Sequence, residues 1–291
     1  MISSELRNKI KLIGRDVTSD MAVKTRELFS PLHPVAPFVG IEIKRDIFYG
    51  DDERNRLDIF TPNDKRTDKV PVLVFIHGGG FVAGDKYTPG SPFYDNIGTW
   101  AVLHGMVGIN ITYRLAPKHK WPAGIEDLAA VTSWIQENAE LNGIDVERIY
   151  FMGQSAGAAH VASYIAHPEF YQPAGHGLAG AILLSGLYDF ALLAPDGYLG
   201  AYIGRDTSVY AERSSVKGLV QDNVPMMFSL AEHEPDFFEK QALVALTAIR
   251  DRDNKMPRFV HLKGHNHLST VMNFGLADDL LGLEIEEFIN T

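Results

Sequence analysis

Three short stretches hold side chains that together could attack and cleave an acyl bond: Gly153-Gln154-Ser155-Ala156-Gly157, Glu232-His233-Glu234-Pro235-Asp236 and Gly264-His265-Asn266-His267. A serine hydroxyl is a poor nucleophile at neutral pH and needs a base within hydrogen-bonding reach. Imidazole suits that task, because its unperturbed pKa of about 6.5 lets it accept and return a proton near neutrality. An anionic carboxylate then fixes the imidazole tautomer and supports the imidazolium. Serine, acid and histidine follow one another in that order along the chain. Within the second stretch Glu234 and Asp236 compete for the acid role, and within the third His265 and His267 compete for the base.

The surroundings of Ser155 fit a nucleophile. An apolar run, Ile149-Tyr150-Phe151-Met152, precedes it and a helix-like run from Ala158 to Ala166 follows, so the local reading is strand, sharp turn, helix. Glycines on either side let strand and helix pass closely, and the turn lifts the hydroxyl clear of the sheet. The Ala156 amide then lies at the start of a helix, where unpaired N–H groups and the positive end of the helix dipole favour developing negative charge. A fourth stretch, His77-Gly78-Gly79-Gly80-Phe81, follows the wholly apolar run Val70 to Ile76. Consecutive glycines there expose backbone N–H groups that can point at an oxyanion. Each pattern alone also fits a chance motif or a flexible turn; their coexistence points to chemistry. His77 is expected to orient the glycine loop rather than move protons.

These groups need a scaffold, and the chain supplies alternating elements. Two β-like runs, 41–49 and 56–60, read as an antiparallel hairpin. From residue 70 to 185 the order is strand, helix, strand, helix, strand, helix, strand. Such alternation predicts a mostly parallel central sheet with helices on both faces. The helix after Trp121-Pro122 carries Ile125, Leu128, Val131 and Ile135 on one stripe, with Gly143 as its cap. Further strands are expected at 224–231 and 258–262, with a helix at 239–250 and a terminal helix from about Leu276. Leu6, Ile10, Ile13 and Val17 predict an amphipathic helix near the start, followed by a second around Ala22 to Phe29. Residues 1–40 thus form a helical arm that either packs on the body or caps the site, and 41–291 form the main domain. Residues 186–222 read as an insertion lining the entrance.

Composition narrows the partners. The chain has 291 residues, 45% hydrophobic, and a formal charge of −10. That charge argues against nucleic acid or an anionic membrane as the main partner. There is no cysteine, so disulfides, thiolate catalysis and cysteine-held metals are excluded. No secretory signal or membrane span is evident, which makes a cytoplasmic location the expectation. Self-association into a homo-oligomer is left open.

Taken together, His77-Gly78-Gly79-Gly80, Tyr113-Arg114-Leu115-Ala116-Pro117, Gly153-Gln154-Ser155-Ala156-Gly157 and the late Gly264-to-His267 turn resemble the hormone-sensitive lipase-like carboxylesterase group of the α/β-hydrolases, with arylformamidase-like features. The likeness runs from about residue 41 to the end. It implies Ser155 as nucleophile, His267 as base, and the amides of Gly79, Gly80 and Ala156 as oxyanion hole. Two departures stand out. Gln154 occupies a position that is usually aspartate, and the usual acid, an aspartate before proline, is here Glu234 before Pro235. Glu234 is the preferred acid. The implied activity is cleavage of small-molecule carboxylic esters with short to medium acyl groups, without cofactor or metal. Phe81, Tyr188 and Phe190 are candidate pocket residues. A metal reading of His261, His265 and His267 lacks a carboxylate at ligand spacing. Alternatives are an arylformamidase or amidase on the same residues and a non-catalytic receptor of the same fold.

Overall fold

A computed structural model describes residues 2–64, 68–173 and 175–291. The arm comes first: α1 (Ser4–Ile13) and α2 (Ser19–Phe29). Gly14, at φ +96°, ends α1, so Val17 lies in the turn rather than on the stripe expected of it. The Thr18 hydroxyl accepts from the Met21 amide at 3.1 Å and starts α2. The body begins with β1 (Ile41–Phe48), β2 (Arg56–Pro62) and β3 (Val70–Ile76), followed by α3 (Asp95–Leu103), β4 (Val107–Ile111) and α4 (Ala123–Asn142). Then come β5 (Ile144–Gln154), α5 (Ala156–Ala166) and β6 (Gly180–Leu184). The expected insertion holds three short helices, α6 (Gly197–Ile203), α7 (Tyr210–Arg213) and α8 (Val216–Gln221). The chain closes with β7 (Met226–His233), α9 (Asp236–Asp253), β8 (Arg258–Asn266), α10 (Ser269–Met272) and α11 (Leu280–Asn290).

The eight strands form one sheet in the order β1-β2-β4-β3-β5-β6-β7-β8. β1 and β2 pair antiparallel and β2 joins β4 antiparallel, while every pairing from β4 through β8 is parallel. β3, β4 and β6 are almost wholly buried, as strands covered by helices on both faces must be. Two apolar cores result. One joins alternate residues such as Val72, Val74 and Ile76 to α4 and α5; the other joins Leu73, Phe75 and Met152 to α3 and α11. β8 runs four residues beyond the expected strand, which carries His265 and Asn266 within it.

Register decides what meets at one end of the sheet. Ile76 stands opposite Gly153, Gln154 opposite Leu184, and His233 opposite Asn266. The Ser155 amide donates to Leu184 O at 2.8 Å, and the Ser185 amide to Ser229 O at 3.0 Å. The glycine loop, Ser155, Ser185, Glu234 and His267 therefore all leave the sheet at the carboxyl ends of parallel strands, where open α/β sheets place their sites. The arm packs on β8 and α10 through a small cluster that includes Ile10, Phe29 and Met272. Among the described residues no helix is long and apolar enough to cross a membrane.

Candidate active site

Ser155 has φ +56° and ψ −119°, a conformation L-residues rarely adopt. The close approach that imposes it is measurable at the neighbouring glycines. A Cβ at Gly157 would come within 2.0 Å of Ile76 O, and one at Gly153 within 2.4 Å of Gly157 itself. Strand β5, helix α5 and the end of β3 thus touch backbone to backbone around a partly exposed Ser155. The Ala156 amide opens α5, which is 11 residues long.

The glycine loop lies against the elbow, since a Cβ at Gly78 would meet the Ser155 Cβ at 3.2 Å. Gly79 at φ +127° leaves 2.0 Å between such an atom and Ala83 O, so glycine is obligatory there. The amides of Val82 and Ala83 both donate to Gly79 O, tightening the turn. His77 is fully buried and stacks on Tyr113 at 4.4 Å, while its Nδ1–H donates to Gly78 O at 2.6 Å. Burial pushes its imidazole pKa down to about 3, which keeps it neutral while it holds the loop carbonyl of Gly78.

Glu234 and His267 are 0% and 1% exposed, and Nδ1–H of His267 donates to Oε2 of Glu234 at 2.8 Å. The other carboxylate oxygen accepts from the Ser185 hydroxyl at 2.5 Å. With Nδ1 occupied, Nε2 is the other ring nitrogen; it is buried and makes no hydrogen bond to any described residue. Phe238 stacks on the imidazole at 4.4 Å. Asp236, by contrast, opens α9 with its side chain exposed and pairs with Arg15 at 2.6 Å. His265 is directed to the Ser269 hydroxyl, 3.0 Å away, and not to a carboxylate. His261 is exposed on β8, and no group of three or more His, Cys, Asp or Glu gathers as a metal site among the described residues.

Beside this end of the sheet lies an apolar cleft of about 310 Å³, walled by Leu187, Leu192, Leu193, Tyr198, Leu199 and Phe237. Tyr198 rests on Gly80, whose Cβ would stand 3.0 Å from the ring, and the Phe237 ring lies tilted, 4.3 Å between centroids, against the Phe238 that covers His267. A larger cavity, about 450 Å³, opens at the opposite ends of β3 and β4 near Val70 and Val107, away from this chemistry. Phe81, Tyr188 and Phe190 do not line either cavity. They are 1%, 2% and 0% exposed, and Phe81 stacks on Tyr202 at 4.6 Å within the core. The expectation that these three aromatics wall a pocket therefore fails for both cavities: they fill the core, and the cleft beside Gly80 is walled by leucines and Tyr198 of the insertion and by Phe237.

Sequence reasoning also missed Ser185, Gln154 as a tie, and Arg15. Gln154 donates from Nε2 to His267 O at 3.1 Å, binding the elbow to the histidine turn. A small pair, Ser185-Gly186, with a hydroxyl directly after a buried strand was an available signal for Ser185. Nothing local distinguishes Arg15.

The backbone overlays that of Esterase B from Lactobacillus Rhamnosis with a TM-score of 0.74 at 17% identity, covering 99% of this chain and 96% of that one. The chain has the α/β-hydrolase fold. A hyperthermophilic esterase from Pyrobaculum calidifontis gives this hydrolase fold a second match, with a TM-score of 0.65 at 20% identity over 99% of this chain and 97% of the other. The family model BD-FAE matches residues 57–171, the stretch from β2 through the elbow and α5. By sequence the chain is similar to Esterase LipC of Mycobacterium tuberculosis, 33% identical over 44% of this chain and 32% of LipC. It is likewise similar to Probable carboxylesterase 3 of Arabidopsis thaliana, 31% identical over 40% of this chain and 39% of that protein. The matched stretch spans about a third of these relatives' lengths.

Proposed function

We propose that this α/β-hydrolase is a serine carboxylesterase that cleaves short to medium acyl esters through an acyl-enzyme. The observation that carries the reading is the buried Glu234–His267 hydrogen bond, which leaves Nε2 as the free nitrogen at the sheet end that also holds Ser155. His267 Nε2 takes the Ser155 proton as Oγ bonds to the ester carbon, and the carbonyl oxygen becomes an oxyanion. The amides of Gly79, Gly80 and Ala156 bind that oxyanion, each donor being worth about 3 kcal/mol. Collapse breaks the ester C–O bond, and the imidazolium protonates the departing alcohol. Water then repeats the sequence: Nε2 removes its proton, hydroxide adds to the acyl carbon, and Ser155 leaves with the proton returned. Glu234 holds the tautomer throughout and does not change protonation.

The leucine-walled cleft beside Gly80 supports an acyl group of modest length. Esterase B, similar in backbone, has been solved with a C4-C4 tributyrin phosphonate inhibitor. The test is Ser155→Ala assayed on p-nitrophenyl butyrate together with fluorophosphonate labelling. Loss of turnover by at least about 1,000-fold and loss of the label is the expected result. Retained hydrolysis overturns the reading.

A further inference from the structure

Arg15 sits in the turn between α1 and α2, yet its guanidinium reaches the loop that carries Glu234. Nε donates to the Glu234 carbonyl oxygen at 2.7 Å. Nη2 donates to that same oxygen and, at 2.6 Å, to Oδ1 of Asp236. One planar group therefore grips both ends of the Glu234-Pro235-Asp236 turn, a geometry a lysine ammonium cannot reproduce. The arm holds the histidine side as well. The buried Thr25 hydroxyl accepts from Nδ2 of Asn266 at 3.0 Å, and Oδ1 of Asn266 in turn accepts from the amides of Leu268 and Ser269. The Arg7 stem covers Gly264, whose Cβ would lie 2.6 Å from it. No described arm residue lines the leucine-walled cleft. The arm meets the two turns that flank the Glu234–His267 bond and leaves the described cleft to the insertion.

We infer that the N-terminal arm works as a clamp on the acid and histidine turns, and that Arg15 is the positioning residue through which it sets the Glu234–His267 geometry. The inference rests on the serine esterase reading for its kinetic consequence, but not for its structural one. The physical ground is that Glu234 and His267 sit on separate strands, β7 and β8, whose pairing shifts register between Ala231 and His233, just before the site. The regular ladder is interrupted there, and small displacements of catalytic groups cost rate steeply.

The test compares Arg15→Met, which keeps most of the stem, with Arg15→Lys and with Ser155→Ala in the full chain. Arg15→Met is expected to lower kcat about tenfold while KM stays within about twofold, because the substrate cleft is untouched. Arg15→Lys recovers part of the loss, and added guanidinium rescues Arg15→Gly. Independently of turnover, the low-field proton resonance of His267 Nδ1–H should shift or broaden in Arg15→Met. An unmoved resonance with unchanged kcat overturns the clamp. A moved resonance in Arg15→Met alongside full activity in Ser155→Ala upholds the clamp and instead sinks the serine reading.

Discussion

The Ser185 hydroxyl donates to Oε1 of Glu234 at 2.5 Å from a backbone held at φ +48°. A non-glycine residue in that region costs roughly 1 kcal/mol or more. Since Glu234 gives Oε2 to His267, the strained serine satisfies the remaining oxygen of a carboxylate that is wholly out of water. Ser185→Ala keeps the strain and orphans that oxygen, so a stability loss of about 1–3 kcal/mol is expected in urea unfolding. Ser185→Gly relieves the strain and should lose less stability, while both variants lower kcat by a similar factor because both leave that carboxylate oxygen without its hydroxyl. Equal kcat in Ser185→Gly and the parent would remove Ser185 from the site's support.

Glu234 and Asp236 are separated by their partners. Glu234→Gln cannot hold the same His267 tautomer and is expected to lower kcat by up to about 10⁴-fold. Asp236→Asn removes the exposed charge but keeps an acceptor oxygen for Arg15, so the clamp holds and kcat should stay within about fivefold. Steady-state kinetics on p-nitrophenyl butyrate checks both, and the reverse outcome would transfer the acid role to Asp236.

Tyr198 forms the wall of the cleft that leans on Gly80. Tyr198→Ala lengthens the cleft without removing a proposed catalytic group. The ratio of kcat/KM for hexanoate over butyrate should rise about tenfold, the usual worth of one or two methylenes in an apolar pocket. An unchanged ratio would show that acyl groups bind elsewhere.

Stability should fall on mild acidification. Burial holds the imidazoles of His77 and His160 down to about 3 and that of His265 down to about 4. In the unfolded chain each titrates near 6.5. As pH drops below about 6.5 the unfolded chain gains protons that the folded chain refuses, so stability is lost until each folded pKa is reached. One such histidine contributes on the order of 1.4 kcal/mol per pH unit within its window. Urea midpoints measured near neutrality and near pH 5 should therefore diverge, and His265→Asn should flatten the dependence between about 6.5 and 4 by about one proton.

Local patterns carried the scaffold and the candidates for the reacting groups. The apolar runs in β3, β4 and β6 could not sit half-exposed, the alternation of strand and helix demanded parallel pairing, and glycines around Ser155 announced a turn too tight for a Cβ. The placement of Ser155, Glu234 and His267 at one sheet end follows from that topology. The pocket walls did not follow, because Phe81, Tyr188 and Phe190 are aromatic and near the motifs in sequence but face inward. Whether an aromatic lines a cleft or fills a core depends on the direction of its side chain, which periodicity in an irregular stretch does not encode.

The residues that steady the site lay further out of reach. Arg15 meets Glu234 across 219 positions, Thr25 meets Asn266 across 241, and Ser185 meets Glu234 across 49. Chemistry that depends on residue type and short spacing is written in the sequence, as the elbow and the glycine loop are. Contacts between distant segments depend on strand order, register and the docking of the arm on β8, and these exist only once the whole sheet has assembled.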